Sequence, residues 1–166
     1  MNGISGAGQS VEDRFRALTH SKRPAKKGDG DAVVSGVAVE VKKASADTLN
    51  QVRAVKYITL VCYDERDGSW YVVPAHQVVK LVSEKVRGQH TENPFESATI
   101  SVRALGDFRV VHEQDLLTRV EAAIRAADEF PRVKESMKNV LSKSKALASE
   151  SRDEVGRILR ESGLLG

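Results

Sequence analysis

The 166-residue chain has a single cysteine, Cys62, so no disulfide can close within it. That points to a reducing compartment, with a cytoplasmic location expected. Cys62 sits in the apolar run YITLVCY and reads as a buried strand thiol rather than a nucleophile. No apolar run approaches the roughly 18 residues of a membrane-spanning helix. The first residues also lack a signal peptide's hydrophobic stretch, so no membrane partner is expected. There is no internal repeat, P-loop, dinucleotide fingerprint or Ser/His/Asp triad. His20, His76, His90 and His112 fall at no metal-ligand spacing and read as structural.

What is present suits one globular domain with an appendage: 40% apolar and 30% charged residues, in a chain long enough for a real core. The net charge of +3 is too small to name a partner. Its distribution says more. Residues 11–27 carry six Lys or Arg against two acids, and residues 131–160 eight against four, +4 in each zone. Two basic zones fit a polyanion, although solvated helix faces look the same.

Along the chain, MNGISGAGQS reads as a loose arm ending in a helix cap at Ser10. Val11, Phe15 and Leu18 then mark a one-faced helix. THSKRPAKKGDG is a basic loop, and VVSGVAVEV reads as two strands joined at Ser35-Gly36. SADTLNQVRAVKY is expected to be helical, because Leu49, Val52 and Val55 follow the helical period. YITLVCYD and WYVVP read as strands around the turn ERDGS, with Trp70 in the core or an interface. PAHQVVKLVSEKV reads as a helix with Pro74 near its first turn, and GQHTENPFES as a long loop. ATISVRAL and FRVV are expected to close as a strand pair around Gly106-Asp107. From Asp115 the pattern is helical to the end, interrupted at Pro131. Val133, Met137, Val140, Leu141 and Leu147 make one stripe, and Val155, Ile158 and Leu159 another. The expected architecture is an α/β domain over 1–114 and an amphipathic helical tail over 115–166. The tail's stripes would be buried on its own domain or on a second chain.

The stretch GDGDAVVSGVAVEVKK puts charge where a sheet usually keeps its core. Strand alternation sets Glu40 and Lys42 on one face and Val39 and Val41 on the other. An exposed edge hairpin would explain Lys43, but not an aspartate opening the first strand behind a helix. A carboxylate ending one strand and another lining the next can hold a divalent metal, since Mg²⁺ takes one or two carboxylates plus waters. A lysine two residues on, on the same face, can orient or deprotonate a water and steady a phosphate's charge.

Asp31 followed by Glu40-Val41-Lys42 across a hairpin resembles the D…(D/E)xK signature of the PD-(D/E)xK nuclease superfamily. That group includes type II restriction endonucleases, Holliday-junction resolvases and recombination exonucleases. The resemblance covers about residues 10 to 75 as helix, loop, catalytic hairpin, helix and strand. The triplet alone is weak; the apolar frame and the flanking elements give it weight. It implies a restriction-endonuclease-like core, a mixed central sheet flanked by helices, with a C-terminal helical extension. It further implies a Mg²⁺-dependent DNA endonuclease, with Mn²⁺ able to substitute, most like a small type II restriction enzyme. Asp31, Glu40 and the Val41 carbonyl would bind metal, and Lys42 would activate or position the water. Glu12 matches a glutamate that the preceding helix can carry, although an i,i+4 pair with Arg16 would also explain it. Gln51 matches a polar residue of the following helix.

DNA contacts are expected from Lys22, Arg23, Lys26 and Lys27, and after the hairpin from Lys43, Ser45, Asn50 and Arg53. Cutting both strands calls for two active sites and hence a homodimer, through the tail or with the tail gripping DNA flanks. Holliday-junction resolution and a non-catalytic DNA-binding module are the alternatives. The chain departs from the signature in two ways: Gly30 stands where a proline precedes the aspartate, and Asp29 competes with Asp31.

Overall fold

Ser10 caps the first helix, α1 (Val11–Thr19), its Oγ accepting the Asp13 N–H at 3.0 Å. Glu12 and Asp13 add negative charge to the first turn, where the helix dipole favours it. The computed structural model describes residues 10–91, 93–128, 130 and 148–161.

The hairpin forms as the residues predict. β1 (Ala32–Val34) runs antiparallel to β2 (Val37–Ala44), with Val34 opposite Val37. Ser35 and Gly36 both take positive φ, 50° and 77°, the pattern of a two-residue hairpin turn that matches strand twist. β4 (Thr59–Asp64) lies parallel to β2, and β5 (Ser69–Val73) returns antiparallel across the turn of residues 65–68. The short β7 (Arg109–Val110) closes the far edge, giving a mixed five-stranded sheet in the order β1-β2-β4-β5-β7. The protein is thus of the α/β class.

Alternation divides the core. Val39, Val41, Val61, Trp70 and Val72 face α1, where Phe15 is fully buried, and α3 (Leu116–Ala126), which contributes Leu116, Val120 and Ala123. Leu60, Cys62, Tyr71 and Val73 face the other way, toward α2 (Ala75–Ser83) with Val78, Val79 and Val82. The central strands β4 and β5 are apolar on both faces, as strands covered on both sides must be. Burial pushes the Cys62 thiol up to about 12, an inert buried thiol.

Two expectations fail. Residues 45–57 are not a helix: β3 (Thr48–Val52) is followed by a short 3-10 turn, Ala54–Lys56. The i, i+3 spacing of Leu49 and Val52 comes instead from a bulge, where the register shifts between them and Gln51 takes φ 54°. A bulged strand and a helix both bury residues three apart, so the period did not discriminate. Nor do ATISVRAL and FRVV pair with each other. β6 (Ala98–Ser101) pairs with β3 in a separate two-stranded ribbon, while β7 joins the main sheet. Between them Val102–Phe108 winds as 3-10 helix, burying Val102 and Leu105 rather than turning back.

The described part of the tail packs on its own chain. α3 lies on β5 and α1, and α4 (Ala148–Glu161) lies against α2 with Leu159 fully buried in the second cluster. The stripe from Val133 to Leu147, like Pro131, lies outside the described residues. Among the described residues no helix is long and apolar enough to cross a membrane.

Candidate functional site

β1 is short and β2 is long, and the site grows from that mismatch. β1 begins only at Ala32, opposite Val39, so among the described residues β2 from Glu40 onward has no strand beside it on that edge. Asp31 fills the gap. Its N–H donates to the Val39 carbonyl at 2.8 Å, and its Oδ2 accepts the Val41 N–H at 2.8 Å. A strand residue's N–H and C=O leave on the same side, so the Val41 carbonyl opens toward this edge too. Gly30 has φ 106°, and a Cβ there would come within 3.0 Å of Val39 O and 3.1 Å of Ile58 Cδ1. Proline, locked near φ −65°, cannot take this place. Asp29 is exposed in the turn before it, so Asp31 is the aspartate whose carboxylate reaches β2.

Glu40 and Lys42 pair in register with Leu60 and Cys62 and share their face of the sheet. They are half-buried. Glu40 Oε2 lies 3.5 Å from Lys56 Nζ, a lysine on the 3-10 turn that the motif did not mark. Among the described residues Lys42 has no ion-pair partner of its own.

Glu12 comes from the first turn of α1 and borders the same groove as Asp31, Glu40 and Lys42. The expected competitor for Glu12 is engaged elsewhere. Arg16 pairs with Asp13 and donates to the Asp31 backbone carbonyl at 2.6 Å. Arg14 fixes α1 from its other side, meeting Glu113 at 2.6 Å and lying over the Tyr63 ring. Trp70 Nε1 donates to the same Glu113 carboxylate, so this tryptophan is core with a polar tether.

The acids bear on one another. Burial raises the Asp31 carboxyl above its ordinary value and the Val41 N–H opposes that; Glu40 and Glu12 push it higher, and Lys56 pulls it down. Asp31 thus carries negative charge in a place that resists it. Oxygen donors of this kind suit a hard divalent cation. Among the described residues no three acidic, histidine or cysteine side chains gather closely enough to hold a metal by themselves. What Asp31, Glu40 and the Val41 carbonyl offer at this edge is two carboxylates and a backbone oxygen.

Basic residues border the acids. Arg23, Lys26 and Lys27 line a groove of about 820 Å³ together with Glu12, Asp31 and Glu40. Lys22 is exposed, and its backbone bridges to Val33 rather than lining this groove. On the far side, Lys43, Ser45 and Asn50 share a groove with Asp31, Glu40 and Lys42. Lys43 also reaches Glu65 at 3.6 Å. Gln51 and Arg53 border a smaller cavity with Glu40 and Lys42. Gln51 thus reaches the site from a bulged strand rather than from the expected helix.

The histidines stay apart from this cluster. His76 is buried, and burial lowers its pKa. The chain matches no family model, no curated protein and no solved structure.

Proposed function

We propose that the protein is a Mg²⁺-dependent DNA endonuclease with a restriction-endonuclease-like core, acting on duplex DNA in the manner of a type II restriction enzyme. One observation carries the reading. Asp31, Glu40, Glu12 and Lys42 converge on a groove whose neighbouring wall is basic, with Arg23, Lys26 and Lys27 beside the acids. Acids alone would repel a nucleic acid, and bases alone would only bind one. Together they make a place for a phosphodiester and its counter-cation.

Asp31, Glu40 and the Val41 carbonyl would hold Mg²⁺, or Mn²⁺ in its stead. The bound cation would neutralise phosphate charge and lower the pKa of a water. Lys42, with no acid of its own to neutralise it among the described residues, orients the attacking water and steadies the charge building on the phosphate oxygens. The water oxygen forms the new P–O bond, a backbone P–O bond breaks, and the departing sugar oxygen takes up a proton. Glu12 adds negative potential at the edge of the cation site and acts on Asp31 rather than on substrate.

Cutting both strands takes two such sites, and a homodimer supplies them. The apolar faces of α3 and of Leu159 do not by themselves demand a partner, because they are buried within the chain. The dimer rests on the chemistry of paired cuts. Incubation with plasmid, linear duplex and four-way junction, each with and without Mg²⁺, tests the reading. Discrete Mg²⁺-dependent fragments of linear duplex are expected. Cuts confined to the junction would make the protein a resolvase. DNA retarded on a gel but intact under every condition would leave a binding module and overturn the enzyme.

A further inference from the structure

The β3–β6 ribbon is not needed to hold the carboxylates, yet it is firmly built. Its inner residues Leu49, Val52, Ala98 and Ile100 are buried. Its outward positions are Thr48, Asn50, Gln51 and Thr99, hydroxyls and amides without one ionised side chain. One end is pinned by Asp47, whose Oδ2 accepts from Ser101 Oγ at 2.6 Å and whose Oδ1 accepts the Arg103 N–H at 3.0 Å. At the other, Gln89 Oε1 accepts the Gln51 N–H at 2.6 Å and fixes the bulge.

Gln89 and Thr99 also set the polarity of Asn50. Asn50 Oδ1 accepts from Gln89 Nε2 and from Thr99 Oγ1, each at 3.4 Å. These two long contacts favour the orientation of Asn50 that leaves its Nδ2 hydrogens for an outside group. Asn50 and Thr48 border the same groove as Asp31, Glu40 and Lys42.

We propose that the outer face of this ribbon is the base-reading surface for duplex DNA, entering the major groove with Asn50 as an oriented donor; this rests on the nuclease reading above. A two-stranded ribbon fits the major groove. Amides and hydroxyls serve phosphates and base edges alike, and those held in one orientation and carried into the groove can discriminate base edges. A donor-only Asn50 favours an edge made of acceptors, guanine N7 and O6, over cytosine's N4 donor. It cannot make the two-way amide contact to adenine without giving up Gln89 or Thr99.

The test is selection of bound duplexes from a randomised library by the full chain in EDTA, with sequencing of the bound pool. Asn50→Ala and Asn50→Asp are run in parallel, and a melting curve for each confirms folding. Wild type should enrich a motif holding a guanine that Asn50→Ala relaxes by roughly ten-fold, leaving the salt slope unchanged. Asn50→Asp, with acceptors only, should move that position toward cytosine. A wild-type pool without preference overturns the proposal. So does a motif that survives Asn50→Ala, or a loss of binding equal for all sequences. Mg²⁺-dependent cleavage by the same wild type separates the two ideas. Cutting without preference sinks the ribbon alone, preference without cutting sinks the nuclease alone, and no binding sinks both.

Discussion

β2 and β3 are neighbours in the chain and bury similar faces, Val39 and Val41 on one and Leu49 and Val52 on the other. Toward their shared groove they show opposite chemistry. β2 presents Glu40 and Lys42 beside the Asp31 carboxylate, all half-buried and ionisable. β3 presents Thr48 and Asn50, both neutral, with Asn50 held by Gln89 and Thr99. The difference is one of cost. A half-buried carboxylate loses hydration and repels its neighbours, which the raised Asp31 pKa records, whereas a hydrogen-bonded amide is nearly at rest. Where a fold keeps an unfavourable cluster of charge, an arriving counter-ion gains most. On the proposed reading, the β2 side would carry the chemistry and the β3 side the recognition.

Mutation breaks this comparison most directly at β2. Asp31→Ala, Glu40→Ala or Lys42→Ala should each reduce single-turnover cleavage of supercoiled plasmid by about 10²–10⁴-fold, the range for removal of a positioned catalytic group. Asp29→Ala should change it little, since Asp29 stands exposed outside the groove. Near wild-type turnover in Glu40→Ala or Lys42→Ala would sink the assignment. A loss at Asp29 greater than at Asp31 would show that the wrong aspartate had been named.

The two strands also differed in how far they could be read in advance. Glu40 and Lys42 flanking Val41 declare the strand period outright, and Ser35-Gly36 declares the turn. Ser10 and the Val11, Phe15 and Leu18 spacing declare α1 as clearly. In residues 45–57 the spacing of Leu49, Val52 and Val55 is shared by a helix and by a bulged strand running into a 3-10 turn. What decided between them is distant. β6 supplies the pairing partner, and Gln89 takes the bulge N–H from 38 positions away. Lys56 was missed for the same reason, because only the folded crossover brings it to Glu40. Gly30 was legible as a departure from the motif but not as a necessity, since its cause is the approach of Val39 and Ile58.

The basic loop offers the next largest effect. Replacing Arg23, Lys26 and Lys27 with glutamine should weaken binding to all duplexes about equally. It should also reduce the slope of log K against log salt by roughly 0.9 for each phosphate that is no longer neutralised. Lys22→Gln alone should leave the slope near that of wild type, because Lys22 does not line the groove. Fluorescence anisotropy over a salt series measures both. A changed motif with an unchanged slope would give this loop the role proposed for the ribbon.

Asp31→Asn sharpens the cost argument without DNA. Asparagine can still accept the Val41 N–H, but it removes a carboxylate whose pKa is raised by burial and by Glu40 and Glu12. A raised folded pKa means that the native state binds the proton more tightly, so the ionised group weakens the fold at neutral pH. That penalty disappears as pH falls through the folded value toward the unfolded one near ~3.9. In EDTA at pH 7, Asp31→Asn should therefore be more stable by about 0.5–2 kcal/mol while losing cleavage. The advantage should shrink to nothing as the melting buffer approaches pH 4. With Mg²⁺ in excess it should narrow or reverse, since only wild type keeps the full donor set. A less stable variant in EDTA would mean that the Asp31 charge is already compensated.

Lys56 should give the smallest effect. Its ammonium stands 3.5 Å from Glu40 Oε2 and lowers the Asp31 pKa, so it already serves these carboxylates as a partial counter-ion. A divalent cation at the same oxygens must displace that contact and bear the repulsion of the lysine. Lys56→Met keeps the aliphatic stem and removes both burdens. Partly exposed ion pairs are worth about 0.2–1 kcal/mol, so Mn²⁺ affinity by calorimetry in the absence of DNA should tighten by roughly 1.5- to 5-fold. DNA binding should move the other way, weakened slightly by the loss of a positive charge in the groove that Arg23 and Lys26 also line. Opposite signs for metal and DNA are the signature of a counter-ion that gives way. Weaker Mn²⁺ binding would mean instead that Lys56 holds Glu40 in its metal-ready position, making the 3-10 turn part of the cation site rather than its competitor.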